Sequence, residues 1–266
     1  SARNPGLVYA SVTGFGQTGP RASQPGYDFM IQGMGGIMEL TGDPAGDPQK
    51  VGVAWIDIFT GLYGVIGIQA ALAERARSGR GQQVDLALFD CALGVLANQA
   101  ANHLLGGVEP ARLGNAHPNI VPYQVFPARD GHLIVACGND RQFRSLCLAL
   151  DLPVLADDPT LATNAQRVAG REVLCATLAK ATAARDRADL IAALTAAGVP
   201  AGPINRVSEA HGRVARGHRG VAHAHHPVPQ PDCRSRRGPG LGRGQLQLAA
   251  VTSGCGACSG RIARAA

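Results

Sequence analysis

The chain has 266 residues, 45% hydrophobic and 17% charged, enough for one large domain or two smaller ones with sizeable cores. Its net charge of +6 is unevenly placed: residues 211–266 hold nine Arg against the single acid Asp232, which leaves residues 1–210 with 16 basic and 18 acidic groups. A basic tail on a mildly acidic body, without aromatic residues in the tail to stack on bases, excludes a nucleic-acid binder as the leading reading.

The first element is a short strand at Leu7–Val12. It runs into "SVTGFGQTGP", which holds the pattern G-x-G-x-x-G at Gly14, Gly16 and Gly19. That pattern marks a dinucleotide site only when a helix starts on it and an acidic residue about 20 positions on reaches a ribose. Pro20 follows the last glycine, "RASQPG" carries no helical period, and Glu39 and Asp43 flank a turn, so the dinucleotide reading is set aside. The stretch "YDFMIQGMGGIMEL" reads mostly as loops. A long apolar-faced helix follows from about Ile58 to a stop at Gly79, then a short strand running into a second helix that ends near Gly106. Residues 108–127 read as one long loop, and loops of that length inside a compact domain are usually functional or disordered. "GHLIVAC" reads as a strand, "DRQFRSLCLAL" as a helix capped by Asp140, and 171–184 and 187–197 as two further helices.

After Glu209 the apolar period fades into Gly/Arg runs. His223, His225, His226, Cys233, Cys255 and Cys258 supply metal-ligating types, but only one C-x-x-C knuckle, so the expectation is solvated low-complexity sequence and no metal. Cys91, Cys137, Cys147 and Cys175 lie in apolar segments, as reduced core thiols do. The N-terminus shows no basic-then-apolar leader, and apolar stretches are broken by Gly, Gln, Asn or charge before 18 residues, so the expectation is a cytoplasmic protein without a membrane span.

Asp57 stands at the start of the long helix in "WIDIFTGLYG". As an N-cap, its side chain accepts from free backbone N–H groups. As a reacting group it uses the same geometry: N–H donors around a carboxylate keep it ionised and stabilise an oxyanion formed beside it. Spacing alone favours the cap.

Six ordered segments change that balance: "NPGLVYASVTGFGQTGP", "PGYDFMIQGMGGIMELTG", "GVAWIDIFTGLYGVIGIQAAL", "SGRGQQVDLALFD", "RLGNAHPNIVPYQVFPARDGHLIVACGNDRQF" and "AAGVPAGPIN". Over about residues 4–210 the chain resembles the class III coenzyme A transferases, the formyl-CoA, carnitine and dicarboxylate CoA-transferase family. The resemblance implies an α/β fold with an incomplete Rossmann-like CoA-binding domain at 1–107 that carries the nucleophile. An active-site loop and linker follow at 108–127, a small α-rich domain at 128–210 and a basic tail at 211–266. It places the nucleophile of a D-x-x-T-G helix start on Asp57, with Thr60 and Gly61, and aligns Tyr27 and Asp28 with a segment of the CoA pocket. Gly114, Asn115 and His117 fall in a mobile loop over the nucleophile.

The implied reaction moves CoA from an acyl-CoA, with succinyl-CoA expected, to a dicarboxylate acceptor through an aspartyl anhydride and an aspartyl-CoA thioester. No metal or cofactor beyond the thioester substrate is expected, and the intact enzyme is expected to be an interlocked homodimer. Acyl-CoA epimerases of the same fold pair their aspartate with a histidine where this chain has Tyr27, a poor acid/base partner with its usual pKa near 10. The resemblance further implies a fragment that lacks the first strands and helices of the CoA-binding domain, with a shifted reading frame after residue 210. A catalytically incompetent remnant is the competing expectation.

Overall fold

The computed structural model describes residues 3–215, which form two compact units dividing between Gly114 and Asn115. The residues weighed above as a tail metal cluster lie outside the described residues, as does most of the basic tail. The architecture is mixed α/β.

In the first unit, β1 (Tyr9–Thr13) is followed by α1 (Asp28–Met34), α2 (Ile37–Leu40), α3 (Trp55–Ser78), β2 (Gln83–Ala87), α4 (Leu88–Gly94) and α5 (Ala97–Leu104). β1 and β2 pair in parallel from Tyr9 with Gln83 to Thr13 with Ala87. Such a pairing needs a long crossover, and α3 is its longest element. Ile56, Thr60, Gly64 and Ala71 form its buried stripe. Gly67 lets α3 lie close on the sheet, since a Cβ there would come within 2.8 Å of Val84 Cγ1. The helix ends at Gly79, whose φ of 69° suits a left-handed cap.

The glycine run after β1 has a packing role. A Cβ on Gly14 would sit 2.6 Å from the Gly26 Cα, and one on Gly26 would sit 2.3 Å from the Gly14 Cα, so two bare backbones cross there. That crossing delivers Tyr27 and Asp28 to the start of α1. No helix starts on the run, in keeping with the rejected dinucleotide reading.

Three sequence expectations are corrected in this unit. "YDFMIQGMGGIMEL" forms α1 and α2, because Asp28 and Gln32 bond across one turn of α1 despite Gly33, Gly35 and Gly36. The single helix expected up to Gly106 is broken into α4 and α5, with Ala97 at φ 49°. α3 is long and apolar enough, by length and composition, to cross a membrane, with a mean hydropathy of 1.5 over its best window; its glycines lower that mean too little to break the run. Here it is the crossover helix, packed on α1, α4 and both strands.

In the second unit, β3 (Tyr123–Ala128) and β4 (Gly131–Ala136) form a hairpin. Then come α6 (Asp140–Ala149), α7 (Pro153–Ala156), a 3₁₀ turn at Pro159–Leu161, α8 (Asn164–Ala169), α9 (Arg171–Ala183), α10 (Arg187–Ala196), β5 (Ala201–Pro203) and α11 (Val207–Ala215). The antiparallel sheet runs in the order β3–β4–β5. Its core joins Phe126, Leu133 and Val135 to Phe143, Leu146, Leu174, Leu178, Leu190 and Leu194 from the helices. Cys91, Cys137, Cys147 and Cys175 are free and buried, and burial pushes the Cys137 thiol up to about 12 and that of Cys147 to about 11.

Here too the structure departs from expectation. The 108–127 loop stops short, because Tyr123–Ala128 is a strand; Pro122 and Pro127 disguise it, and Pro127 is tolerated because β3 is an edge. α6 is capped by Asn139, whose Oδ1 accepts from the Gln142 N–H at 2.9 Å, and Asp140 is the first helical residue. α11 runs past Glu209, where the period was expected to fade, because Glu209 Oε2 accepts from the Arg206 N–H at 2.7 Å and so anchors the helix start.

Arg167, fully buried on α8, is the polar hub of this unit. Its guanidinium donates to the carbonyls of Val121 (2.9 Å), Leu161 (2.9 Å) and Ala162 (3.2 Å) and to Asp140 Oδ1 (2.7 Å), and it lies over the Phe143 ring. Arg167→Met strands these acceptors, and unmet buried groups cost about 1–3 kcal/mol each. The variant is expected to lose about 3 kcal/mol or more of unfolding free energy in a denaturant titration; a loss below about 1 kcal/mol contradicts the hub assignment.

Candidate functional site

α3 starts after Ala54, which has no side chain to cap it. The cap comes from another helix. Asp28, the first residue of α1, turns Oδ1 to the backbone N–H groups of Ile56 (2.8 Å) and Asp57 (3.3 Å). The Trp55 N–H goes to the Val53 carbonyl at 2.8 Å. The donors expected around Asp57 are therefore already taken, which corrects the picture of a carboxylate resting among unpaired N–H groups.

The other Asp28 oxygen, Oδ2, accepts from Gln32 Nε2 at 2.6 Å. Gln32 is 0% exposed, its Nε2 also reaches the Val53 carbonyl at 3.3 Å, and its Oε1 accepts from the Val51 N–H at 2.9 Å. One buried amide thus binds the α1 carboxylate to the segment that enters α3.

With the cap supplied from outside, the Asp57 side chain is left over. It projects from the first turn of α3 at the surface, and among the described residues no hydrogen bond engages its carboxylate. Partial desolvation raises its pKa above 3.8, and the neighbouring Asp28 charge pushes in the same direction. The two other residues of D-x-x-T-G divide the work. Thr60 is buried and its hydroxyl donates to the Ile56 carbonyl at 2.8 Å, while a Cβ on Gly61 would meet nothing within 4 Å. Gly61 stands one turn on from Asp57, where a side chain would lean back over it, so glycine keeps that surface open. Tyr27, just before α1, is 65% exposed and does not cap the helix with its side chain.

Of the residues singled out in sequence, Tyr27, Asp28 and Asp57 come together at the starts of α1 and α3. Gly114, also in the first unit, has a φ of 58°, and its N–H donates to the Gly42 carbonyl at 3.0 Å. Close by in sequence, Arg112 pairs with Glu39 at 2.7 Å. Gln32 was not singled out, although its spacing of four from Asp28 is the signal of a bond across one helical turn.

Asn115 and His117 belong to the second unit. Asn115 is exposed. His117 is half-buried against the Tyr123 ring, and its N–H donates to the Tyr123 carbonyl at 2.9 Å. Its Nδ1 accepts from the Asn119 N–H at 3.1 Å, so Nε2 carries the proton. Arg171 Nη2 donates to the carbonyls of His117 (2.9 Å) and Pro118 (2.8 Å), and Asn164 bridges the Val121 N–H and the Asn119 carbonyl. Burial, then the Arg171 charge, lowers the His117 pKa below 6.5.

Comparison with known proteins gives three findings. A family model described as CoA-transferase family III matches residues 1–241, past residue 210 where the resemblance in sequence was placed to end. The chain is 53% identical over 206 residues to a succinate–glutarate CoA-transferase of Agrobacterium fabrum, covering 77% of this chain and 52% of that one. It is 39% identical over 237 residues to a succinyl-CoA:glutarate CoA-transferase of Mus musculus, covering 86% and 54%. Among solved structures it resembles a CaiB/BaiF family protein from Brucella suis, with a TM-score of 0.67 at 58% identity over 81% of this chain and 58% of that one. The chain spans about half the length of the curated relatives it matches.

The His117 loop gives a titration test. A histidine held below 6.5 contributes stability above that pH and loses it as the pH falls and the unfolded chain takes up the proton. Arg171→Gln removes the repelling charge, so NMR titration of the His117 ring is expected to show its midpoint rising toward 6.5. An unchanged midpoint contradicts the share assigned to Arg171 and leaves burial as the cause.

Proposed function

The chain belongs to CoA-transferase family III, and from that premise we propose that it carries the reacting half of a transferase that moves CoA from succinyl-CoA to a dicarboxylic acid, with Asp57 as nucleophile. The relatives named as succinate–glutarate and succinyl-CoA:glutarate CoA-transferases support the choice of donor and acceptor.

The Asp57 carboxylate attacks the thioester carbonyl, the carbon–sulfur bond breaks, and a mixed anhydride forms with release of CoA thiolate. The thiolate attacks the aspartyl carbonyl, which frees the donor as its carboxylate and leaves an aspartyl-CoA thioester. An acceptor carboxylate attacks that thioester, giving a second anhydride and thiolate. The thiolate then takes the acceptor acyl group, and Asp57 returns to its starting state. Charge and atoms balance at each step, and no proton needs to move.

One observation carries this reading: the helix that holds Asp57 is capped by Asp28, so the Asp57 carboxylate is left free of hydrogen bonds at the surface. A carboxylate without donors, made more basic by burial and by a like charge, is a better nucleophile than one held in a cap. Gly61 keeps the approach open. Tyr27 and Asp28 are assigned to CoA binding in the first unit, and Gly114, Asn115 and His117 are kept as substrate-binding candidates on the resemblance alone. His117, neutral with Nε2–H free, suits a hydrogen-bond donor to a substrate oxygen. The same reading carries a cytoplasmic homodimer.

Two results are expected from substitution. Asp57→Asn abolishes transfer, and mass spectrometry finds a hydroxylamine-sensitive adduct at residue 57 only in the unsubstituted protein mixed with acyl-CoA. A carboxyl whose pKa is raised on folding costs stability as the pH rises through that raised value, so Asp57→Asn is expected to keep or raise Tm at pH 7. Retained turnover sinks the assignment.

A further inference from the structure

Gln32 is a fully buried polar side chain that the reaction itself does not use. It faces the site indirectly: its amide N–H holds Asp28 Oδ2 at 2.6 Å while Asp28 Oδ1 holds the first N–H groups of α3. Its amide oxygen holds the Val51 N–H, and its Nε2 reaches the Val53 carbonyl, so the strand entering α3 is fastened to the same side chain. Burial of an amide is costly unless each polar atom is met, and here both are.

We propose that Gln32 is a positioning residue for the reaction: it locks the Asp28 carboxylate as the external cap of α3 and thereby keeps the Asp57 carboxylate out of that role. This rests on the assignment of Asp57 as nucleophile. A helix start needs an acceptor for its first N–H groups, and Ala54 cannot supply one. Two carboxylates are within reach, Asp28 from α1 and Asp57 in the first turn of α3 itself. Gln32 selects between them, because it binds Asp28 and, among the described residues, no side chain binds Asp57. Without Gln32, Asp28 loses its donor, and Asp57 is free to fold back on the helix start, where the gain of N–H donors lowers its basicity and takes it away from the substrate. The charged neighbour whose field the structure records at Asp57 is Asp28, so both effects act on one titration.

The test is the carboxyl titration of Asp57, followed by ¹³C NMR on the full chain, with transfer kinetics beside it. Gln32→Leu removes all three of its bonds. Gln32→Met removes the same bonds with a side chain of similar length and volume, and so guards against a variant that does not fold. In both, the Asp57 midpoint is expected to fall toward 3.8. Transfer is expected to drop about 10- to 100-fold in kcat with KM little changed, the scale of a misplaced reacting group. An Asp57 midpoint that stays where it was in folded Gln32→Met, whatever happens to Tm, makes Gln32 a structural amide only and overturns the proposal. The NMR reading does not depend on turnover: if Asp57→Asn retains transfer the nucleophile assignment fails by itself, and if Asp57→Asn is dead while the Gln32 variants keep full kcat the positioning role fails by itself.

Discussion

The geometry of the first unit depends on one shared carboxylate. Asp28 Oδ1 serves two backbone N–H groups of a helix that begins nearly thirty residues later in the chain, and Oδ2 serves a buried amide four residues on. A helix start normally takes its acceptor from the residue just before it. Here that residue is Ala54, and the work has passed to a neighbouring helix. The consequence is chemical as well as structural. A helix capped from within engages its own acidic residue, whereas one capped from outside can present an acid unspent. The N–H groups near Asp57 are occupied, so what distinguishes this carboxylate is raised basicity and, among the described residues, freedom from hydrogen bonds.

The second unit handles its loop differently. Three side chains from α8 and α9, those of Asn164, Arg167 and Arg171, hold backbone groups between His117 and Val121. These are mostly bonds from side chains to carbonyls, so they constrain the path of the backbone whatever side chains the loop carries. His117 is oriented through Nδ1, a tilted ring contact and its backbone carbonyl, by Asn119, Tyr123 and Arg171. The loop is therefore irregular without being loosely held, and its ring nitrogen is fixed in one tautomer.

Much of this was legible in the sequence, and what was not has a common cause. Asp57 stood out because a local motif marks it, and the long helices stood out because their apolar stripes repeat over many turns. The strands Gly131–Ala136 and Gln83–Ala87 were plain from apolar runs next to turn residues. What sequence could not reveal was supplied from a distance. No local pattern says that Asp28 caps a helix across 28 residues, or that Gln32 fastens Asp28. Short elements with contrary composition were missed for the same reason: α1 contains a glycine and is steadied by one side-chain bond, and β3 contains a proline and is steadied by its neighbour strand. The cap expected at Asp140 falls one position earlier, on Asn139, whose backbone lies in the β region and whose side chain accepts from the Gln142 N–H.

The placement of prolines in the second unit has a consequence for how it meets other chains. Its sheet has two edges, β3 and β5; the first carries Pro127, and the second is three residues long and ends in Pro203. A proline has no N–H to offer an incoming strand, and a very short edge offers few groups of any kind. Neither margin is a good template for strand addition, so the unit resists β-mediated aggregation by the chemistry of its margins, without needing a helix or loop laid over them.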